Sequence, residues 1–135
     1  SSAASDVYKR HRVFNTYSKA FADYDWAIIP PSVDGEKESS YHIYALRIKN
    51  FTEEQRDRMI DEIAKAEVAV NVHFIPMPML SFFKSLGYDI KNYPQAYENF
   101  KGEISLPIYP QLDEEQLNFI INVVKAAYIT VAGTE

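Results

Sequence analysis

The segment from Tyr41 to Ile48 constrains the fold most, because it is the clearest strand pattern in the chain. It is rich in aromatic and β-branched side chains, and turn-forming residues flank it on both sides. Successive side chains of a strand point to opposite faces, so alternate residues starting at His42 share one face. That face is largely apolar and must be covered by other elements. The segment therefore predicts a strand on which the rest of the fold packs.

Helical periodicity and capping residues predict helices in most of the remaining chain. Thr52 with Gln55, and Asp113 with Gln116, have the capping-box pattern that begins a helix. Prolines 78 and 94 suit the first turn of a short helix. The predicted helices span residues 6–22, 78–86 and 92–100, with two longer ones beginning after Thr52 and Asp113.

Two shorter apolar runs predict further strands, at Trp26–Ile29 and Val68–Phe74. Each run is followed by prolines, which remove backbone donors and end a strand. The segment Ser105–Pro110 itself contains two prolines. We therefore expect it to be extended, at a sheet edge or over the core, and not to form a regular central strand.

Together these elements predict an α+β fold in which the sheet is small, mainly antiparallel and made of three or so strands. Helices are expected on one face of the sheet, with the first and last helices packed against it. A chain of 135 residues is expected to form a single domain, residues 1–135.

Composition and charge exclude several classes of protein. The net charge is −5, and the sequence has no basic stripe of the kind that nucleic-acid binders carry. The chain has no cysteine, which rules out disulfides and thiolate zinc sites and is compatible with a cytoplasmic protein. It has no apolar run of the ~20 residues that cross a bilayer. We expect neither nucleic acid nor membrane as a partner.

The residue types of common active sites do not cluster along the sequence. The three histidines, His11, His42 and His73, lack the local spacing of metal ligands, so we expect no metal site. The four glycines are scattered, and no lysine has the apolar setting of a Schiff-base lysine. His73 ends a predicted strand beside a proline-rich turn, where it is either a site residue or a hydrogen-bonded structural histidine.

An ordered series of motifs runs from about Tyr41 to Lys125. The most distinctive is ISLPIYPQL, residues 104–112, which an acidic helix start follows. The motifs are, in order, Tyr41–Ile48, Arg56–Ile60, Val72–Pro76, Phe82–Tyr88, Tyr93–Ala96 and Glu103–Leu112. This series resembles the C-terminal small domain of the sugar aminotransferases of the DegT/DnrJ/EryC1/StrS type.

The resemblance implies a fold-type I, pyridoxal-phosphate-dependent enzyme that transfers an amino group to a nucleotide-linked keto-sugar. In that family the Schiff-base lysine and most cofactor contacts belong to a large N-terminal domain, whose motifs do not occur in residues 1–135. The resemblance thus implies that this chain alone is inactive and binds no cofactor tightly. Its expected partners are the large domain, the nucleotide-sugar and, in a homodimer, a second copy.

The same resemblance implies three candidate substrate-binding residues, His73, Phe74 and Met77. His73 and Phe74 fall on the family's His-Tyr/Phe pair, and Met77 lies in the turn that follows. Many members carry a second histidine where this chain has Pro78, which implies a different sugar or reliance on other groups. An alternative from the aromatic content of 14% is a free-standing carbohydrate-binding or protein-interaction module.

Overall fold

The computed structural model describes residues 2–31, 42–72 and 75–133. Within these residues the chain forms helices and three strands, with two short 3-10 turns at Met77–Met79 and Ile90–Asn92. The helices are α1 (Ser2–Phe21), α2 (Glu53–Ala64), α3 (Ser81–Ser85), α4 (Pro94–Lys101) and α5 (Glu114–Ala132). The strands are β1 (Ala27–Ile28), β2 (Ile43–Ile48) and β3 (Glu103–Pro107).

The sheet has the order β1-β2-β3, and both strand pairs are antiparallel. The central strand is β2, in which Tyr44 lies opposite Leu106 and Arg47 lies opposite Ile28. The predicted α+β fold with a small antiparallel sheet is confirmed. Among the described residues, no helix is both long and apolar enough to cross a membrane.

The predicted strand Val68–Phe74 does not form within the described residues. Only Asn71 pairs with the sheet, through an isolated bridge to Ser105, and residues 73 and 74 lie outside the described ranges. The Asn71 side chain accepts the next backbone amide, that of Val72, at 2.8 Å. Since both the amide and the carbonyl of Asn71 bond to Ser105, the Val72 amide points away from β3 and is not a donor of that ladder.

The segment Ser105–Pro110 is extended and is not a central strand, as expected, but its first three residues belong to a strand that was not predicted, β3 (Glu103–Pro107). The first four residues of β3 all carry an amide, and Pro107 is its last residue, opposite Ile43. A proline at the end of an edge strand costs no ladder hydrogen bond. The expected position at an edge is correct, since β3 is an outer strand of the sheet.

Helices α1, α2 and α5 cover one face of the sheet. The side chains of β2 alternate, and Tyr44, Leu46 and Ile48 are buried in one cluster with residues of these three helices. Tyr44 packs against the Phe14 ring of α1, with ring centroids 5.0 Å apart. The predicted packing of the first and last helices on the sheet is confirmed.

Both predicted capping boxes are present, at Thr52 with Gln55 for α2 and at Asp113 with Gln116 for α5. The predicted helix 78–86 is instead divided into a 3-10 turn and α3. The break is at Leu80, whose backbone is extended. The predicted helix 92–100 is confirmed as α4.

Candidate functional site

Residues 75–101 form a mostly exposed excursion between Asn71 and β3, which we call the arm. Pro78 and Phe100 are its buried residues. Seven of its large apolar side chains are between 39% and 66% exposed, namely Ile75, Met77, Leu80, Phe82, Leu86, Tyr88 and Tyr93. Exposed apolar surface of this density marks an interaction or ligand surface.

A pocket lies where the arm meets the sheet, and we call it the arm-foot pocket. It is lined by residues of β2, of α4, of the start of β3 and of the segment before the first turn of the arm. These are Ala45, Arg47, Pro76, Ala96, Asn99, Phe100 and Glu103. Ala45 and Arg47 reach it because they alternate with the core residues of β2 and so lie on the other face of the sheet.

Arg47 is the main polar group of the pocket wall. Its Nη1 donates to Oδ1 of Asn99 at 2.5 Å, and Gln95 Nε2 donates to the same oxygen at 3.3 Å. The Asn99 side chain thus fixes the Arg47 guanidinium against α4. A guanidinium held in this way presents a planar set of donors that suits phosphate or carboxylate oxygens.

Behind the pocket, Arg56 of α2 is 2% exposed. Its Nη1 donates to the carbonyl oxygens of Phe100, at 2.8 Å, and of Glu103, at 3.1 Å. Its Nε donates to Oδ1 of Asp57 at 2.7 Å, and its guanidinium carbon lies 4.7 Å from the centroid of the Phe100 ring. A buried cation is tolerated only when it is paired and hydrogen-bonded, as Arg56 is here.

Glu103 and Ser105 are polar residues of β3 that are also buried, at 6% and 4% exposed. The Ser105 hydroxyl donates to Oε1 of Glu103. Tyr97 gives a further link between α4 and α2, because its hydroxyl donates to Oε1 of Glu53 at 3.1 Å. Partial burial, followed by that hydrogen bond, raises the pKa of Tyr97.

Of the three predicted site residues, the structure describes Met77. It follows Pro76 of the pocket wall, belongs to the 3-10 turn and is 41% exposed. His73 and Phe74 lie outside the described residues. The assignment of all three to substrate binding therefore stays a prediction.

No sequence pattern had pointed to Arg47, Arg56 or Glu103 as residues of this region. Arg56 had a detectable signal, because it precedes Met59 and Ile63 at the helical spacing of the buried stripe of α2. Glu103 had no such sequence signal, because its burial depends on how α2 and α4 pack at the start of β3.

The described lining of the pocket is suited to binding. Its described lining is apolar apart from Arg47, Asn99 and the buried Glu103, and it includes no lysine. Within residues 2–31, 42–72 and 75–133, no cluster of histidine and acidic side chains could hold a metal ion. A lining of this kind can orient a ligand that has an apolar face and an anionic group.

Comparison with known proteins shows similarity over nearly the whole chain. A sequence profile of the DegT/DnrJ/EryC1/StrS aminotransferase family matches residues 2–125. Among solved structures, the apo form of a Streptococcus pneumoniae protein named "Putative sugar aminotransferase Spr1654" superposes with a TM-score of 0.88 at 34% identity. The match covers 97% of this chain and 33% of that protein. The same protein was also solved in forms with PMP and PLP.

Two curated relatives match along most of the chain at lower identity. The spore coat polysaccharide biosynthesis protein SpsC of Bacillus subtilis is 26% identical over 87% of this chain and 31% of its own length. A UDP-4-amino-4,6-dideoxy-N-acetyl-beta-L-altrosamine transaminase of Campylobacter jejuni is 27% identical over 83% of this chain and 29% of its own. The chain thus spans about a third of the length of the proteins that it matches.

Proposed function

Because the chain belongs to the DegT/DnrJ/EryC1/StrS aminotransferase family, we propose that it is the C-terminal small domain of a sugar aminotransferase. The observation that carries this proposal is the match in sequence and fold with Spr1654 over 97% of this chain at 34% identity. The enzyme would move an amino group from a donor such as glutamate to a nucleotide-linked keto-sugar. The Campylobacter relative, a transaminase named for a UDP-linked amino-sugar, supports this class of substrate.

The cofactor of the complete enzyme would be pyridoxal phosphate, which supplies an electron sink for amino transfer. The PLP form of Spr1654 supports this proposal. The described lining of the arm-foot pocket does not fit covalent attachment of that cofactor, because it offers no lysine amine. The contribution of this chain is therefore binding and positioning, and catalytic residues are expected in a large domain.

We assign substrate contact to His73, Phe74 and Met77, and we add the Arg47 guanidinium, which lines the arm-foot pocket. Met77 is exposed and adjoins Pro76 of the pocket wall, so a ligand can reach both. The charge of Arg47 would favour a nucleotide diphosphate, because guanidinium groups bind phosphate oxygens through paired hydrogen bonds.

The exposed apolar side chains of the arm support a packing partner in the complete protein. Phe82 of α3 is 66% exposed, and Leu86, the residue after α3, is 60% exposed. Surface of this kind is costly in water and is normally covered. We propose that the large domain of the same polypeptide, or a second copy in a homodimer, covers it.

The proposal is tested by expressing the native open reading frame that contains these residues. We expect a protein with the visible absorbance band of bound pyridoxal phosphate that converts glutamate and a nucleotide-linked keto-sugar into 2-oxoglutarate and an amino-sugar. Arg47→Ala is expected to raise KM for the sugar nucleotide, and Arg58→Ala, at an exposed position of α2, is the matched control.

Two results would contradict the proposal. One is an open reading frame that encodes no lysine-bearing large domain, and the other is a purified product without aminotransferase activity. In either case the alternative is a carbohydrate-binding or protein-interaction module, which titration of the 135-residue chain with free glycans would test directly. A cytoplasmic location follows from the proposed substrate class and is checked by cell fractionation.

A further inference from the structure

The two ends of helix α4 differ in their side-chain hydrogen bonds. Its N-terminus has no side-chain cap, so nothing of that kind fixes where the helix begins. Its C-terminal carbonyl, that of Phe100, accepts from Arg56, which belongs to α2 and lies 44 residues earlier in the chain. The last carbonyls of a helix lack intrahelical partners, and a cation there also interacts favourably with the helix dipole.

The same guanidinium reaches the first residue of β3. Arg56 Nη1 donates to the Glu103 carbonyl at 3.1 Å, so one side chain joins α2, the end of α4 and the start of β3. Between these two carbonyls lies Gly102, whose own carbonyl accepts from the Ile48 amide at 2.8 Å. The junction of the arm with the sheet is thus fixed on both sides.

The position of α4 determines the geometry of the arm-foot pocket. Ala96, Asn99 and Phe100 of α4 form one wall of it. Asn99 also orients the Arg47 guanidinium of the opposite wall. A shift of α4 would therefore move that guanidinium and widen the pocket beside Pro76, even if the helices on the other face of the sheet stayed in place.

We propose that Arg56 is a positioning residue for the arm-foot pocket: it caps α4 from α2 and thereby fixes Asn99 opposite Arg47. Arg56 itself is almost fully buried behind the pocket, so it acts through α4 and not by touching a ligand. The position of the arm is an observation of the structure, whereas the effect on substrate rests on the proposed function.

The first measurement is amide hydrogen exchange on the 135-residue chain, comparing residues 94–101 with α5. Arg56→Leu leaves the Phe100 and Glu103 carbonyls without their donor, so exchange in 94–101 should be at least tenfold faster while α5 keeps its protection. Arg56→Lys should restore part of the protection, because an ammonium group can donate to the same carbonyls. Arg58→Leu, exposed on the same helix, should change neither region.

The three methionines provide a second readout of the same variants. Met59 is buried in the core, whereas Met77 and Met79 lie in the 3-10 turn of the arm. In carbon-13 methyl spectra, Arg56→Leu should shift or sharpen the Met77 and Met79 signals and leave Met59 dispersed. Unchanged exchange in 94–101, or an equal loss of protection in α5, would overturn the proposal.

If Arg56→Leu does not fold, the exchange rates of residues 94–101 and of α5 are compared in Arg56→Lys instead. A loss confined to the arm supports the proposal, and a uniform loss overturns it. In the native enzyme, Arg56→Lys should raise KM for the sugar nucleotide several-fold and leave the pyridoxal phosphate absorbance unchanged. A purely structural role would instead lower the pyridoxal phosphate absorbance and kcat together. A wild-type protein without activity would refute the proposed function and leave the exchange result standing.

Discussion

The arm and the core of this chain use aromatic residues in opposite ways. In the core the rings are buried against one another: Tyr17 and Tyr44 are fully buried, and the Trp26 and Tyr128 rings stack at 4.1 Å. In the arm the rings also pair, and Phe82 and Phe83 lie 5.2 Å apart in an edge-to-face contact. Phe82 is nevertheless 66% exposed. A contact between two aromatic rings therefore does not by itself show that the rings belong to a buried core.

The helices of the two regions differ in their ends as well. Core helices α2 and α5 each begin with a capping box, whereas α3 and α4 of the arm have no side-chain cap at their N-termini. Helices this short are marginal without tertiary contacts. The arm therefore depends on its attachment at Arg56 and on whatever covers its apolar surface, while the core is stable through its own contacts.

The largest expected difference is between a leucine of the core and a leucine of the arm. Leu46→Ala removes a fully buried side chain from the central strand and should lower the free energy of unfolding by roughly 2–5 kcal/mol. Leu86→Ala, where the side chain is 60% exposed, should change it by less than about 0.5 kcal/mol. Urea denaturation of both variants makes the comparison, and equal losses would mean that the arm is part of the core.

A smaller effect is expected at the junction between the regions. A Cβ at Gly102 would lie 2.6 Å from the Ile48 carbonyl oxygen, a backbone atom that cannot rotate away. Gly102→Ala should therefore lower the free energy of unfolding by about 1–3 kcal/mol, because the arm and β2 would be forced apart. The control is Lys101→Ala at the preceding position. Wild-type stability in Gly102→Ala would show that the junction can relax.

Sequence patterns predicted the elements of the core apart from β3, and they predicted less of the arm. The alternation of β2 and the two capping boxes are local features, and local features decide where such elements begin. Of the predicted strand Val68–Phe74, the described residues retain a single bridge between Asn71 and Ser105. That contact has no distinctive pattern in the sequence.

The candidate site was predictable only in part for the same reason. Family resemblance directed attention to the turn at Met77, and the structure places that turn beside the arm-foot pocket. The pocket itself is formed by residues far apart in sequence: Arg47, Asn99 and Glu103 meet through the antiparallel pairing of β2 with β3 and the placement of α4. The periodicity of a single sequence does not show which distant residues contact each other.

The core tyrosines give a prediction about pH. Burial raises the pKa of Tyr44 to about 12, above the value near 10 of an unfolded tyrosine. Between pH 10 and 12 the unfolded chain releases a proton that the folded chain keeps, so stability should fall as pH rises through this window. Burial also raises the pKa of Tyr17, which adds to the same slope.

Tyr44→Phe separates the two contributions of this hydroxyl. At pH 7 the variant loses the hydrogen bond with Ser18 Oγ, 3.0 Å long, and about 0.5–1.5 kcal/mol of stability. Above pH 10 its disadvantage should shrink, since phenylalanine has no proton to release. Urea denaturation at several pH values measures both effects, with Tyr88→Phe in the arm as control. A disadvantage that stays constant up to pH 11.5 would contradict the shifted pKa.

The smallest effect concerns two aspartates that each cap a helical segment through a side-chain oxygen. Asp113 accepts from the amide of Gln116 at 2.8 Å at the start of α5, and Asp89 accepts from the amide of Lys91 at 2.9 Å in the arm. Asp113→Ala should cost about 1 kcal/mol of unfolding free energy, because α5 packs on the core and cannot fray without global loss. Asp89→Ala should cost only a few tenths, because its turn can open while the core stays folded. Unequal costs are therefore expected although the two hydrogen bonds have nearly the same length. Equal costs in thermal denaturation would instead mean that the arm unfolds together with the core.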